Sequence, residues 1–89
     1  MDIQKSAFAG TMESSDAYVE IEPGKDGIKI CLESVVKNQF GDKIEAAALD
    51  VLKEYDVKNA EVHVSDRGAL ECVIRARVET AVLRGKGEE

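Results

Sequence analysis

In the runs Ala17 to Glu22 and Ile28 to Glu33 apolar and polar residues alternate, whereas from Val36 to Tyr55 apolar residues recur every three or four positions. That switch of hydrophobic period from two to about 3.6 marks a change from strand to helix. In the run Ala17 to Glu22, the apolar Ala17, Val19 and Ile21 share one face. Pro23-Gly24 ends the run with Lys25-Asp26-Gly27 behind it, a cluster of turn-forming residues. Ile28, Ile30 and Leu32 then oppose Lys29, Cys31 and Glu33. The two runs predict a β-hairpin.

The helical stripe comprises Val36, Phe40, Ile44, Ala47/Ala48, Val51/Leu52 and Tyr55, with Lys43, Glu45, Asp50, Lys53 and Glu54 mostly on the opposite side. Ser34 is the expected N-cap. Gly41 lies inside the pattern, where a glycine costs about 1 kcal/mol relative to alanine and marks a possible kink. Phe40 is expected in the core, its burial contributing roughly 1.5–3 kcal/mol.

A third alternating run sets Val62 and Val64 against Glu61, His63 and Ser65, and it closes at Asp66-Arg67-Gly68, where Gly68 can take a positive φ. Beyond it, Leu70, Cys72, Ile74, Ala76 and Val78 alternate with Glu71, Val73, Arg75, Arg77 and Glu79. A strand leaves only Val73 misplaced; a helix beginning near Arg67 puts Arg77 near the middle of its apolar side. The strand is the expectation for residues 69–83, with the helix as its competitor. The predicted fold is α+β: two β-hairpins flanking one long helix, giving a four-stranded, mostly antiparallel sheet with the helix on one face. The alternative has a second, C-terminal helix, ββαβα.

Residues 1–15 show no sustained period and are expected to be a flexible lead-in, residues 16–84 a single domain and residues 85–89 a frayed tail. Hydrophobic residues at 44% and charged residues at 34% place the chain among globular sequences rather than disordered ones. A domain this small buries only about 60–65% of its unfolded surface, so a deep internal active site is not expected. The balance of 12 Lys and Arg against 18 Asp and Glu, net −6, offers no basic cluster for nucleic acid or anionic membrane. No apolar run approaches the roughly 18–20 residues of a membrane span, and the N-terminus lacks a signal-like pattern. Cys31 and Cys72, predicted on opposite strand faces, should not pair, which favours a reducing cytoplasm.

The residues capable of chemistry form no catalytic set. His63, the single histidine, lies beside Glu61 and Ser65 on a charged strand face and reads as a solvated surface residue, with no nucleophile assigned to it. Cys72 shares a face with Leu70 and Ile74 and is expected to be a buried thiol. Glu20 with Glu22, and Asp50 with Glu54, read as solvated carboxylates. Neither metal-ligand spacing nor a phosphate-cradling glycine loop is present. One segment needs no pocket. Gly10-Thr11-Met12-Glu13-Ser14-Ser15-Asp16 places hydroxyls on an acidic stretch before the first strand, where a modifying enzyme could reach them; the plainer reading is a polar linker in which Ser15 or Asp16 starts the strand.

Three strings in order, AGTMESSD, KNQFGDKI leading into LDVL, and DRGALECVIRARVETA, resemble the acyl carrier (γ) subunit of citrate lyase, over a span from about Ala9 to Leu83. The resemblance implies a cytoplasmic, non-catalytic carrier. In that family a serine in Gly-Thr-x-Glu-Ser-Gly-Asp bears 2'-(5''-phosphoribosyl)-3'-dephospho-CoA through a phosphodiester, making it a phosphoprotein. Gly10, Thr11, Glu13 and Asp16 match, and Ser14 falls on the modified serine; Ser15 departs from the usual glycine and adds a second hydroxyl. The implied partners are the α (transferase) and β (lyase) subunits of citrate lyase, the prosthetic-group transferase and the acetylating ligase. Acetyl on the arm's thiol would exchange for citryl, and the citryl thioester would be cleaved to oxaloacetate and acetyl-carrier. The alternatives are a carrier subunit of a related complex such as malonate decarboxylase, or a non-catalytic interaction module.

Overall fold

In the computed structural model, which describes residues 2–35 and 37–87, the alternating runs are strands and the periodic segment is a helix. The elements are β1 (Ala7–Gly10), β2 (Ala17–Pro23), β3 (Ile28–Ser34), α1 (Lys37–Glu54), β4 (Ala60–Asp66) and α2 (Glu71–Gly85). They form a four-stranded sheet of order β1-β2-β4-β3. The pairs β1/β2 and β2/β4 are antiparallel and β3/β4 is parallel, so the sheet is mostly antiparallel, as expected of an α+β chain.

Strands β2 and β3 nevertheless do not form a hairpin, because β4 lies between them. Helix α1, about 27 Å long at 1.5 Å per residue, returns the chain to the end of the sheet where β3 began, and the next strand enters parallel to β3. Ala60, Val62 and Val64 are at most 1% exposed and make β4, with β2, one of the two central strands, whereas Ile28, Ile30 and Leu32 are half-buried at the edge. The turn after Pro23 straddles the start of β4. Gly27 N–H donates to Asn59 Oδ1 at 2.8 Å, and Ala60 N–H donates to the Gly27 carbonyl at 3.1 Å. A Cβ on Gly24 would lie 2.6 Å from Ala60 N, so the crossing requires glycine there.

The C-terminal segment forms helix α2 from Glu71 to Gly85, as in the alternative ββαβα expectation, and the strand with its second hairpin is absent. Ile74, Val78, Ala81, Val82 and Gly85 are buried, a spacing only a helix satisfies. A strand would have buried Leu70 and Cys72; both are exposed. The charges that spread around this helix have partners on neighbouring elements: Arg75 reaches Asp50 at 3.0 Å as well as Glu71, and Arg77 reaches Asp16. Gly68 makes the turn at φ +91°.

The fourth strand comes instead from the segment expected to be a lead-in. Ala9 is buried in the sheet and Ile3 in the core, and Gln4 and Lys5 N–H donate to the Gly85 carbonyl at 2.8 and 3.1 Å. A Cβ on Gly85 would approach Ile3 and Ile21 side chains to 3.2 Å, so the start of the chain and the end of α2 pack against one another. The expected boundaries at residues 15 and 85 thus cut through packed structure; Met1, Glu88 and Glu89 lie outside the described residues.

The core is aliphatic, with Ile21, Leu52, Ile74, Val19, Val62, Val64, Val78 and Val82 as its largest fully buried apolar members. Helix α1 contributes Ile44, Ala47, Ala48, Val51 and Leu52 and runs through Gly41 unbroken. Phe40, expected in the core, is 46% exposed: it lines a hollow of about 280 Å³ together with Leu70 and Ile74. Val36 of the predicted stripe lies outside the described residues. The Ser34 hydroxyl donates to Asp66 Oδ2 at 2.7 Å, and Asp66 is itself buried.

Candidate functional site

The segment Gly10 to Asp16 folds into the loop joining β1 to β2, and each of its matching motif residues other than Ser14 has a building role. Gly10 has φ +99°, and a Cβ there would fall 1.9 Å from the Ala17 carbonyl oxygen, so no other residue fits. Thr11 N–H donates to that carbonyl at 3.2 Å, and its hydroxyl donates to Asp16 Oδ2 at 2.6 Å. Glu13 N–H donates to Thr11 Oγ1 at 3.3 Å, and its carbonyl accepts Asp16 N–H at 3.1 Å.

Asp16 is the hub. Oδ1 accepts Ala17 N–H at 2.7 Å and Arg77 Nε at 3.0 Å; Oδ2 accepts Arg77 Nη2 at 2.9 Å besides the Thr11 hydroxyl. The bidentate Arg77 guanidinium, then Thr11, then the Ala17 amide hold the Asp16 carboxyl well below the usual carboxylate range. It stays ionised at neutral pH with its lone pairs occupied. Asp16 therefore builds the loop and is not placed to act as a base toward a neighbouring hydroxyl.

A second seam ties the loop to the turn after β4. Ser15 N–H donates to the Arg67 carbonyl at 2.8 Å and Arg67 N–H donates to the Asp16 carbonyl at 2.9 Å. Ser15 has φ +65°, the left-handed region that glycine adopts at no steric cost. Met12, Glu13, Ser14 and Ser15 are left exposed at the crest, and among the described residues no hydrogen bond engages the Ser14 hydroxyl. The arrangement holds a solvent-facing serine on a braced loop.

The other residues singled out from the sequence stand apart from this loop. His63 is exposed on the open face of the sheet, its Cα in register with those of Glu20 and Cys31. Among the described residues no group of His, Cys, Asp and Glu is placed to hold a metal ion. Cys31 and Cys72 are both free and both exposed, so the expected burial of Cys72 is not observed. Glu20 and Glu54 are solvated, whereas Asp50 ties α1 to Arg75 of α2. Sequence patterns did not single out Arg77 as a member of the site. Its position on the apolar side of a hypothetical helix was the available signal, because a charge there needs a partner.

A family model described as malonate decarboxylase delta subunit (MdcD) matches residues 4–85. A citrate lyase acyl carrier protein from Oenococcus oeni is 47% identical over 89 residues, covering all of this chain and 92% of that one. Another, from Escherichia fergusonii, is 53% identical over 85 residues, covering 94% and 88%. Among solved structures, a chain in a Pseudomonas malonate decarboxylase hetero-tetramer in complex with malonate superposes with a TM-score of 0.79 at 23% identity, covering 91% of this chain and 84% of that one. That likeness concerns the fold.

Proposed function

The chain belongs to the citrate lyase acyl carrier protein family, a family of non-catalytic carriers, and on that premise we propose that it bears a phosphoribosyl-dephospho-CoA arm esterified to Ser14. The observation that carries this reading is the braced loop: the Gly10, Thr11 and Asp16 positions of the motif are occupied in holding its shape, while Ser14 faces solvent. A bulky group on Ser14 displaces no packed side chain and breaks no hydrogen bond among the described residues. When bound, the group supplies a thiol on which acetyl and citryl units travel between transferase and lyase subunits as citrate is cleaved to acetate and oxaloacetate.

The chain's own residues then perform two tasks. Asp16, Arg77 and Thr11 fix the root of the arm, so that an acyl group explores a bounded volume and meets each partner site at high effective concentration. The acidic body suits docking onto basic surfaces of the α and β subunits, of the transferase that attaches the arm and of the ligase that acetylates it. A reducing, cytoplasmic setting accords with two exposed free thiols. Among the described residues no helix is long and apolar enough to cross a membrane.

Producing the chain with its modifying enzymes and measuring intact mass tests this reading. A single adduct is expected, retained by Ser15→Ala and lost with Ser14→Ala; an adduct that survives Ser14→Ala would refute the assignment. The family model's description favours one second reading, a carrier subunit of malonate decarboxylase. Turnover of citrate rather than malonate by the purified natural complex separates the two, and the 45–53% identities to citrate lyase carriers favour citrate.

A further inference from the structure

Three of the four arginines already have partners. Arg75 is bound by Asp50 and Glu71, Arg77 by Asp16, and Arg84 Nη1 donates to the Phe8 carbonyl at 2.9 Å. Arg67 is exposed, and its guanidinium has no hydrogen bond or ion pair among the described residues. Its backbone, however, is fastened to the crest of the loop through both its N–H and its carbonyl, one residue away from Ser14. The Asp16 carboxylate on that seam is saturated by Arg77, Thr11 and Ala17, and the carboxylate of Asp66, next to Arg67 in sequence, accepts from the Ser34 hydroxyl and Ala69 N–H. Glu33 lines the same shallow hollow as Arg67 without forming an ion pair with it.

A phosphodiester on Ser14 would stand beside the Glu13 carboxylate, and the chain as a whole carries net charge −6. A permanently ionised guanidinium offers paired N–H donors matched to two phosphate oxygens, the geometry that lysine cannot supply. We propose that Arg67 is the phosphate-binding residue of this carrier, gripping the non-bridging oxygens of the ester on Ser14. The proposal rests on the reading that Ser14 carries a phosphate-linked arm. Its consequence is a second anchor: Arg77 fixes the loop through Asp16, and Arg67 fixes the first group of the arm, so the arm leaves the body from the β4–α2 side.

The test uses the full chain, unloaded and loaded, labelled with 15N-arginine. Loading is expected to shift the Arg67 Nε–Hε signal and slow its exchange with water at least fivefold, while the Arg75 signal stays in place. Arg67→Gln is expected to move the 31P resonance of the ester with the adduct mass retained, and Arg67→Lys to restore it only in part. An adduct mapped to Ser14 with an unmoved Arg67 signal would overturn the phosphate assignment and leave the carrier reading intact. Absence of any adduct on Ser14 would overturn both. Should Arg67→Gln fail to fold or load, the comparison of loaded and unloaded wild-type chains decides by itself.

Discussion

Arg77 and Asp16, 61 residues apart, meet through two parallel hydrogen bonds, Nε to Oδ1 at 3.0 Å and Nη2 to Oδ2 at 2.9 Å. The pair joins the middle of α2 to the last residue of the serine-bearing loop. Its carboxyl being held low, Asp16 contributes stability that is present above its unfolded value, about 3.9, and is lost only as pH falls through the lower folded value. Carboxyl carbon shifts followed by NMR should show Asp16 titrating below the usual carboxylate range, and Arg77→Met should return it toward that range. In the same variant the Ser15 and Ala17 amides should exchange at least tenfold faster, while Val62 and Val64 of β4 keep their rates.

Ser15 occupies a left-handed conformation at φ +65°, where a side chain costs roughly 1–2 kcal/mol and glycine almost none. Part of that gain is offset by the greater unfolded-state freedom of glycine. Ser15→Gly should therefore stabilise the domain by about 1 kcal/mol, seen as a rise of about 4–8 °C in Tm by calorimetry. Gly10→Ala should do the opposite by more than about 2 kcal/mol, since φ +99° and a 1.9 Å approach to the Ala17 carbonyl leave no room for a methyl group.

Alternation alone located β2, β3 and β4, because each buries one face and exposes the other, and helical spacing located α1. What alternation cannot encode is which strand lies beside which. The insertion of β4 between β2 and β3 follows from the return path of α1 and the passage at Gly24, neither of which has a local signature. β1 was missed because it has only four residues and one fully buried side chain, Ala9. The sequence of α2 fits a strand as well as its helical alternative because Leu70 and Cys72 complete an alternation that the structure does not use. The motif points to Ser14, but the arginine that braces its loop lies 61 residues downstream of Asp16 and becomes assignable only with α2 as a helix.

Phe40 marks the limit of periodicity in a different way. It lies on the apolar stripe of α1, yet with 46% of its surface exposed it lines the hollow with Leu70 instead of filling the core. Phe40→Ala should accordingly cost only about 1 kcal/mol, well short of the 3–5 kcal/mol of a buried ring. Ile74→Ala and Leu52→Ala, at 1% and 0% exposure, should each cost about 2–5 kcal/mol in urea unfolding. Equal losses for Phe40→Ala and Leu52→Ala would contradict the packing described.

The Tyr55 hydroxyl donates to the Glu79 carboxylate, joining the end of α1 to α2 two residues past Arg77. The carboxylate accepts a proton that the phenolate could not supply, so the hydrogen bond raises the Tyr55 pKa above its ordinary value near 10. The resulting contribution to stability is complete below the unfolded tyrosine value and disappears as pH climbs through the raised folded one. Ultraviolet titration of Tyr18→Phe, which leaves Tyr55 as the only tyrosine, should show ionisation above pH 10, and Glu79→Gln should bring it back down. With Arg75 held by Asp50 of α1 as well, these contacts set the rotation of α2 that aims Arg77 at Asp16. Glu79→Gln should therefore also speed exchange of the Ala17 amide by a smaller factor than Arg77→Met; no change at Ala17 would mean that α2 holds its orientation without the Tyr55 contact.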